Sequence, residues 1–195
     1  MRILHLSDFH YKSTEKDIAS QDILLEKLLE HLSPDLKINY FLFTGDLVFS
    51  GANLQDFDSA YDSLLKKIGE KLDLPKKNGF ICAGNHDVNR KMISEPIKQF
   101  IREFKNSEQL TKIVEDNKDD VFGLSCKPIL NFKEFQNKFY SKTILNNLDE
   151  VKDLYSVHIR HLDGVKIGFV TINTAWCSSG DDDKGNLFWK DQNYQ

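Results

Sequence analysis

The stretch Phe80-Ile81-Cys82-Ala83-Gly84-Asn85-His86-Asp87 sets four apolar residues directly ahead of a glycine, an amide, an imidazole and a carboxylate. A short apolar run bounded in this way reads as a buried strand, and its polar end delivers donors and ligands to one point. Two upstream runs end alike. Ile3-Leu4-His5-Leu6 leads to Ser7-Asp8-Phe9-His10, and Tyr40-Phe41-Leu42-Phe43-Thr44 leads to Gly45-Asp46. Three strand ends therefore present Asp8, His10, Asp46, Asn85 and His86.

Helical patterns lie between these strands. Ile23, Leu24, Leu28 and Leu32 recur at helical spacing, Leu25 and Leu29 widen the stripe, and Ser33-Pro34 stops it. Phe57, Tyr61, Leu64, Leu65, Ile68 and Leu72 fall on one helical face, with Lys66, Lys67 and Lys71 off it. The order β, α, β, α, β, with each polar constellation at the C-terminal end of a strand, follows the rule for ligand sites in α/β sheets. The first strand, a near-continuous apolar run, is expected to be covered on both faces.

Beyond residue 90 the pattern changes. Ile97, Phe100, Ile101 and Phe104 take helical positions, as do Phe132, Phe135 and Phe139, so about 91–149 reads as a helical insertion or cap beside the site. Tyr155, Val157 and Ile159 alternate with polar residues, and Asp163-Gly164 separates them from Val165 to Asn173, the mark of a hairpin with a type I′ turn. Asp191-Gln192 looks like the first turn of a helix.

With 195 residues the chain is long enough to bury one sizeable core. Its net charge of -4 gives no electrostatic footprint for nucleic acid. Cys82, Cys126 and Cys177 are odd in number and widely spaced, which indicates neither a disulfide framework nor a zinc ribbon. No run approaches the roughly 18 apolar residues of a membrane span, and the N-terminus opens straight into a strand. A cytoplasmic protein is expected.

Carboxylate, imidazole and amide oxygen together suit Mn, Fe or Zn better than an all-oxygen calcium cage or a thiolate site. Asp8-x-His10 alone is a weak signal; three such pieces in order, each after an apolar strand, are a strong one. The motifs Asp8-Phe9-His10, Gly45-Asp46 and Gly84-Asn85-His86-Asp87 resemble the signature of the calcineurin-like metallophosphoesterase family. The resemblance spans the first ninety residues and implies an α/β fold, the αββα four-layer sandwich of that family, with residues 1–195 as its N-terminal part. It further implies two divalent metal ions. Asp8 and His10 would hold the first, Asp46 would bridge both, and Asn85 would bind the second, with His86 at the leaving group and Asp87 behind it.

The implied activity is hydrolysis of a phosphomonoester or phosphodiester by a metal-activated hydroxide, on a nucleotide, a nucleic acid or a phosphoprotein. The family's later His and its Gly-His-x-His motif are missing; His158 and His161, on the hairpin arm, read as strand residues. The chain thus reads as incomplete, with a partner domain expected C-terminal to it. A single-metal remnant and a non-catalytic interaction module on the same fold are the alternatives. His5 reads as sheet lining, His31 as a partner of its helix C-terminus, Cys82 as an inert thiol, and Asp181-Asp182-Asp183 as a solvated turn.

Overall fold

The computed structural model describes residues 1–95, 98–99, 126–141, 145, 147–152 and 154–180. The helical positions around Ile97 to Phe104, the Asp181–Asp183 turn and the helix start at Asp191 lie outside the described residues. Strands β1 (Ile3–Leu6), β2 (Tyr40–Thr44) and β3 (Gly79–Cys82) form a parallel sheet in the order β1-β2-β3. Helix α1 (Glu15–His31) crosses from β1 to β2. Helices α2 (Leu54–Ala60) and α3 (Lys66–Lys71), joined by a π-helical turn at Tyr61–Leu65, cross from β2 to β3.

Local chemistry sets the helix ends. Thr14 caps α1 by accepting from the Asp17 N–H, and the His31 ring donates back to the Lys27 carbonyl at 2.8 Å. The buried stripe of α1 is Leu25 and Leu32 with Leu28 and Leu29 beside them, whereas Ile23 and Leu24 face outward. Positions 25, 28, 29 and 32 are i, i+3, i+4 and i+7 of one face, and Ile23 and Leu24 lie off it. This corrects the wider stripe read from the sequence.

Helix α4 (Leu130–Phe139) is the described part of the 91–149 span that carries the Phe pattern. Phe132, Phe135 and Phe139 are buried, and Phe57 of α2 stacks on Phe135 at 5.6 Å. Helix α4 therefore belongs to the main core. β1 differs from expectation as well: Ile3 and His5 are exposed while Leu4 and Leu6 pack on the core. The face of β1 that carries Ile3 and His5 stays open to water.

A second, antiparallel sheet contains β4 (Glu150–Val151), β5 (Tyr155–Leu162) and β6 (Val165–Ile172). Leu162 pairs with Val165 across Asp163 and Gly164, both at positive φ, as a type I′ turn demands. The two sheets meet through Phe80 stacked on Phe169 at 4.2 Å, with Tyr40 alongside at 4.7 Å. Helices, parallel sheet and antiparallel sheet make the mixed α/β layering expected.

A polar seam runs through this interface. His158 is fully buried between Phe80 and Tyr140, with its Nε2 2.9 Å from Ser156 Oγ. Arg160 donates to the Asp149 carboxylate at 2.7 Å and to the Lys77 carbonyl at 2.9 Å. Burial pushes the His158 pKa down to about 4, the nearby Arg160 adds to this, and Asp149 opposes it. His158 is a neutral structural residue. On the opposite face of this sheet Val170 and Ile172 are exposed, and no described residue covers them.

Candidate metal centre

The ends of β1, β2 and β3 lie side by side because the strands are parallel and in register. Past β1 the chain keeps following the segment after β2: Asp8 N–H donates to Gly45 O, His10 N–H to Asp46 O, and Tyr11 N–H to Leu47 O, each at 2.9–3.0 Å. Asp8, His10 and Asp46 all have left-handed φ, of 59°, 50° and 58°. Asp and His tolerate that region better than most residues, yet three together store strain on the order of 1–3 kcal/mol each. Strain concentrated on the candidate ligands is the mark of a built site.

Gly84 makes the close approach possible. A Cβ there would stand 2.2 Å from Asp46 Oδ1 and 2.4 Å from Asp46 N. Asp46 Oδ1 instead accepts the His86 N–H at 2.8 Å, and only 9% of Asp46 is exposed.

The structure brings His10, Asp46 and His86 together, with one ligand atom from each lying within 4.8 Å of the others. The two imidazoles meet edge to face at 4.5 Å. His86 Nδ1 is 2.9 Å from the Phe49 carbonyl. A carbonyl only accepts, so Nδ1 carries the proton and the Nε2 lone pair is left for a cation or a proton. His10 Nδ1 is buried without a hydrogen-bond partner among the described residues. Two imidazoles and a carboxylate with ligand atoms this close fit a divalent cation of the Mn, Fe or Zn kind.

The remaining predicted residues sit around this trio. Asp8 is 65% exposed at the rim, 3.7 Å from the His10 ring, and not within the cluster. Asn85, oriented to satisfy its neighbours, donates to Asp46 Oδ2 at 3.3 Å and accepts from Arg90 Nη2 at 2.7 Å. Arg90 was not singled out by the sequence, and only its place four residues after His86 hinted at it.

Asp87 has a different job from the one expected. Its fully buried carboxylate accepts the N–H groups of Asp46 (2.8 Å), Gly84 (2.9 Å) and Val48 (3.0 Å), so it ties the loop after β2 to the loop after β3. The His86 ring is held by the Phe49 carbonyl rather than by Asp87. Burial pushes the Asp87 pKa up to about 7 against the pull of the three donors. Burial and the Asp87 charge likewise push the Cys82 thiol up to about 11, which keeps it inert.

The amino-acid sequence matches known proteins. Residues 1–193 match the calcineurin-like phosphoesterase family. The chain belongs to that family. Calcineurin-like phosphoesterases act on phosphoesters and normally bind divalent metals. One curated relative, "Uncharacterized metallophosphoesterase-like protein YydB" of Bacillus subtilis (strain 168), is 30% identical over 116 residues, 58% of this chain and 23% of that protein. The matched region spans about a quarter of the length of that phosphoesterase-like relative. No solved structure matches the chain. No helix among the described residues is long and apolar enough to cross a membrane.

Proposed function

We propose that this chain carries the metal-binding half of a phosphoester hydrolase that works in the cytoplasm. The observation that carries the reading is the convergence of His10, Asp46 and His86 at the ends of three parallel strands. Asp8, His10 and Asp46 would hold a first divalent ion, Mn, Fe or Zn, and Asp46 with Asn85 a second, for which the Asn85 amide turns over to bring its oxygen beside Asp46 Oδ2. Such ions, when bound, supply polarisation of the phosphate and a water of lowered pKa.

The residues have separable tasks. Asp46 Oδ1 is engaged by the His86 N–H and Oδ2 faces the Asn85 amide, so its carboxylate plane cannot swing freely. Asp87 fixes the backbone of Asp46 and Gly84 together. The Phe49 carbonyl sets the His86 tautomer with Nε2 toward the site, where a proton on Nε2 can pass to the departing oxygen. That role depends on His86 staying free of a metal. If His86 acts instead as the third ligand of the cluster, the chain holds one ion, and this second reading is favoured by the 4.8 Å grouping itself.

Two measurements test the proposal. Elemental analysis of the purified chain is expected to give stoichiometric Mn, Fe or Zn, lost in Asp46→Asn: two ions support the dinuclear reading and one the mononuclear reading. Bis(p-nitrophenyl) phosphate is expected to be hydrolysed when Mn²⁺ is added. No metal uptake together with no hydrolysis across several metals and pH values would refute it.

A further inference from the structure

A groove of about 400 Å³ opens directly beside the metal centre, between α1 and the loop after β2. His10 and His86 form its inner end, Phe49 and Leu24 its apolar walls, and Lys12 and Gln21 its polar ones. Phe49 is 49% exposed and Leu24 66% exposed, although each belongs to a chain segment with buried neighbours at Val48 and Leu25. Two large apolar side chains turned to water at the rim of a polar site call for an occupant.

Phe49 is rigidly placed. Its N–H donates to the Tyr11 carbonyl at 3.0 Å and its carbonyl takes the His86 Nδ1 proton at 2.9 Å, which holds the two rings 5.5 Å apart. Lys12 Nζ lies 4.3 Å from the Phe49 ring centroid and 4.0 Å from Asp17, whose other carboxylate oxygen is held by the α1 cap Thr14. Gln21 donates to the His10 carbonyl at 3.2 Å, while its Oε1 has no partner among the described residues. The groove is thus aromatic and aliphatic in its walls, hydrogen-bonding at its floor, and continuous with the histidine placed to protonate a departing oxygen.

We infer that this groove is the leaving-group subsite and that it takes a heteroaromatic leaving group of the nucleoside type, seated against Phe49 and Leu24. A lipid chain would strip water from the half-exposed Lys12–Asp17 pair and give it no hydrogen bonds in return, and desolvating charged groups is costly. A polyol or simple sugar would satisfy those groups and leave Phe49 and Leu24 facing water. A planar ring edged with donors and acceptors meets both requirements, and base–aromatic stacking tolerates any base.

This inference rests on the phosphoesterase reading, and one experiment separates the two. The Mn²⁺-loaded full chain is titrated calorimetrically with AMP, ribose 5-phosphate and inorganic phosphate. AMP is expected to bind roughly 5- to 150-fold more tightly than ribose 5-phosphate, the range that stacking on one aromatic ring supplies. That ratio should fall toward one in Phe49→Ala and persist in Phe49→Trp, both of which retain the backbone carbonyl that holds His86. Equal affinities for AMP and ribose 5-phosphate in the wild type, or a ratio that Phe49→Ala leaves untouched, would overturn the subsite while phosphate binding still supported the phosphoesterase reading. Binding of Mn²⁺ with no affinity for any of the three phosphates would overturn both.

Discussion

Replacing Asp87 by Asn tests the tie between the two ligand loops at the level of a single atom. In the wild type, Asp87 Oδ2 accepts from Asp46 and Gly84, and Oδ1 accepts from Val48, whose residue is fully buried. An Asn amide oxygen can keep the first pair, but its NH₂ group then faces the Val48 N–H, donor against donor. The orphaned N–H costs about 1–3 kcal/mol, and exchanging two charge-assisted hydrogen bonds for neutral ones costs about 1 kcal/mol more for each. Relief of the buried charge, the same burial that lifts the Asp87 pKa to about 7, offsets the charge-assisted part, which leaves the orphaned N–H and a net loss of about 1–3 kcal/mol. Chemical denaturation is the assay: the midpoint should fall with the slope unchanged, since native compactness is retained. Asp87→Ala, which orphans three donors, should be worse than Asp87→Asn. If Asp87→Asn matches the wild type within about 0.5 kcal/mol, the carboxylate is not the tie described.

Gly84→Ala drives a methyl group into Asp46 from 2.2 Å, and is expected to abolish stoichiometric metal uptake in elemental analysis while far-UV circular dichroism keeps its helical signal. The low pKa of His158 makes the fold acid-sensitive. Below its unfolded value of 6.5 the unfolded chain gains a proton that the folded chain refuses until about pH 4, so stability is full above 6.5 and falls through this window. The raised Asp87 pKa works in the opposite sense over the same range, so the His158 contribution is read as a difference: between pH 7.5 and pH 5 the wild type should lose about 2 kcal/mol more stability than His158→Gln. Phe135→Ala empties the stack of α4 on Phe57 and should cost about 3–5 kcal/mol, read as a drop in melting temperature.

The strands, the helix crossovers and the hairpin were legible because each leaves a local mark: an apolar run, a 3.6-residue stripe, an Asp-Gly pair. The candidate site was legible as a set of residue types at strand ends. Its wiring was not. Nothing in Gly-Asn-His-Asp says that the aspartate turns toward Asp46 and Val48 rather than toward the adjacent histidine, because hydrogen-bond direction depends on where a distant loop lies. The stripe of α1 was overread for a related reason. Six apolar residues between Ile23 and Leu32 cover more than half the helix circumference, and periodicity cannot then choose which of them face in. Burial of β1 on both faces likewise depends on neighbouring chain, which an apolar run does not encode.

The group that orients His86 is a main-chain carbonyl. Any residue but proline at position 49 keeps both that oxygen and the N–H that anchors it, so the shape of the groove wall can change by mutation while the proton on His86 stays at Nδ1. Selection, or an engineer, can therefore retune what departs from the phosphate without touching how it departs.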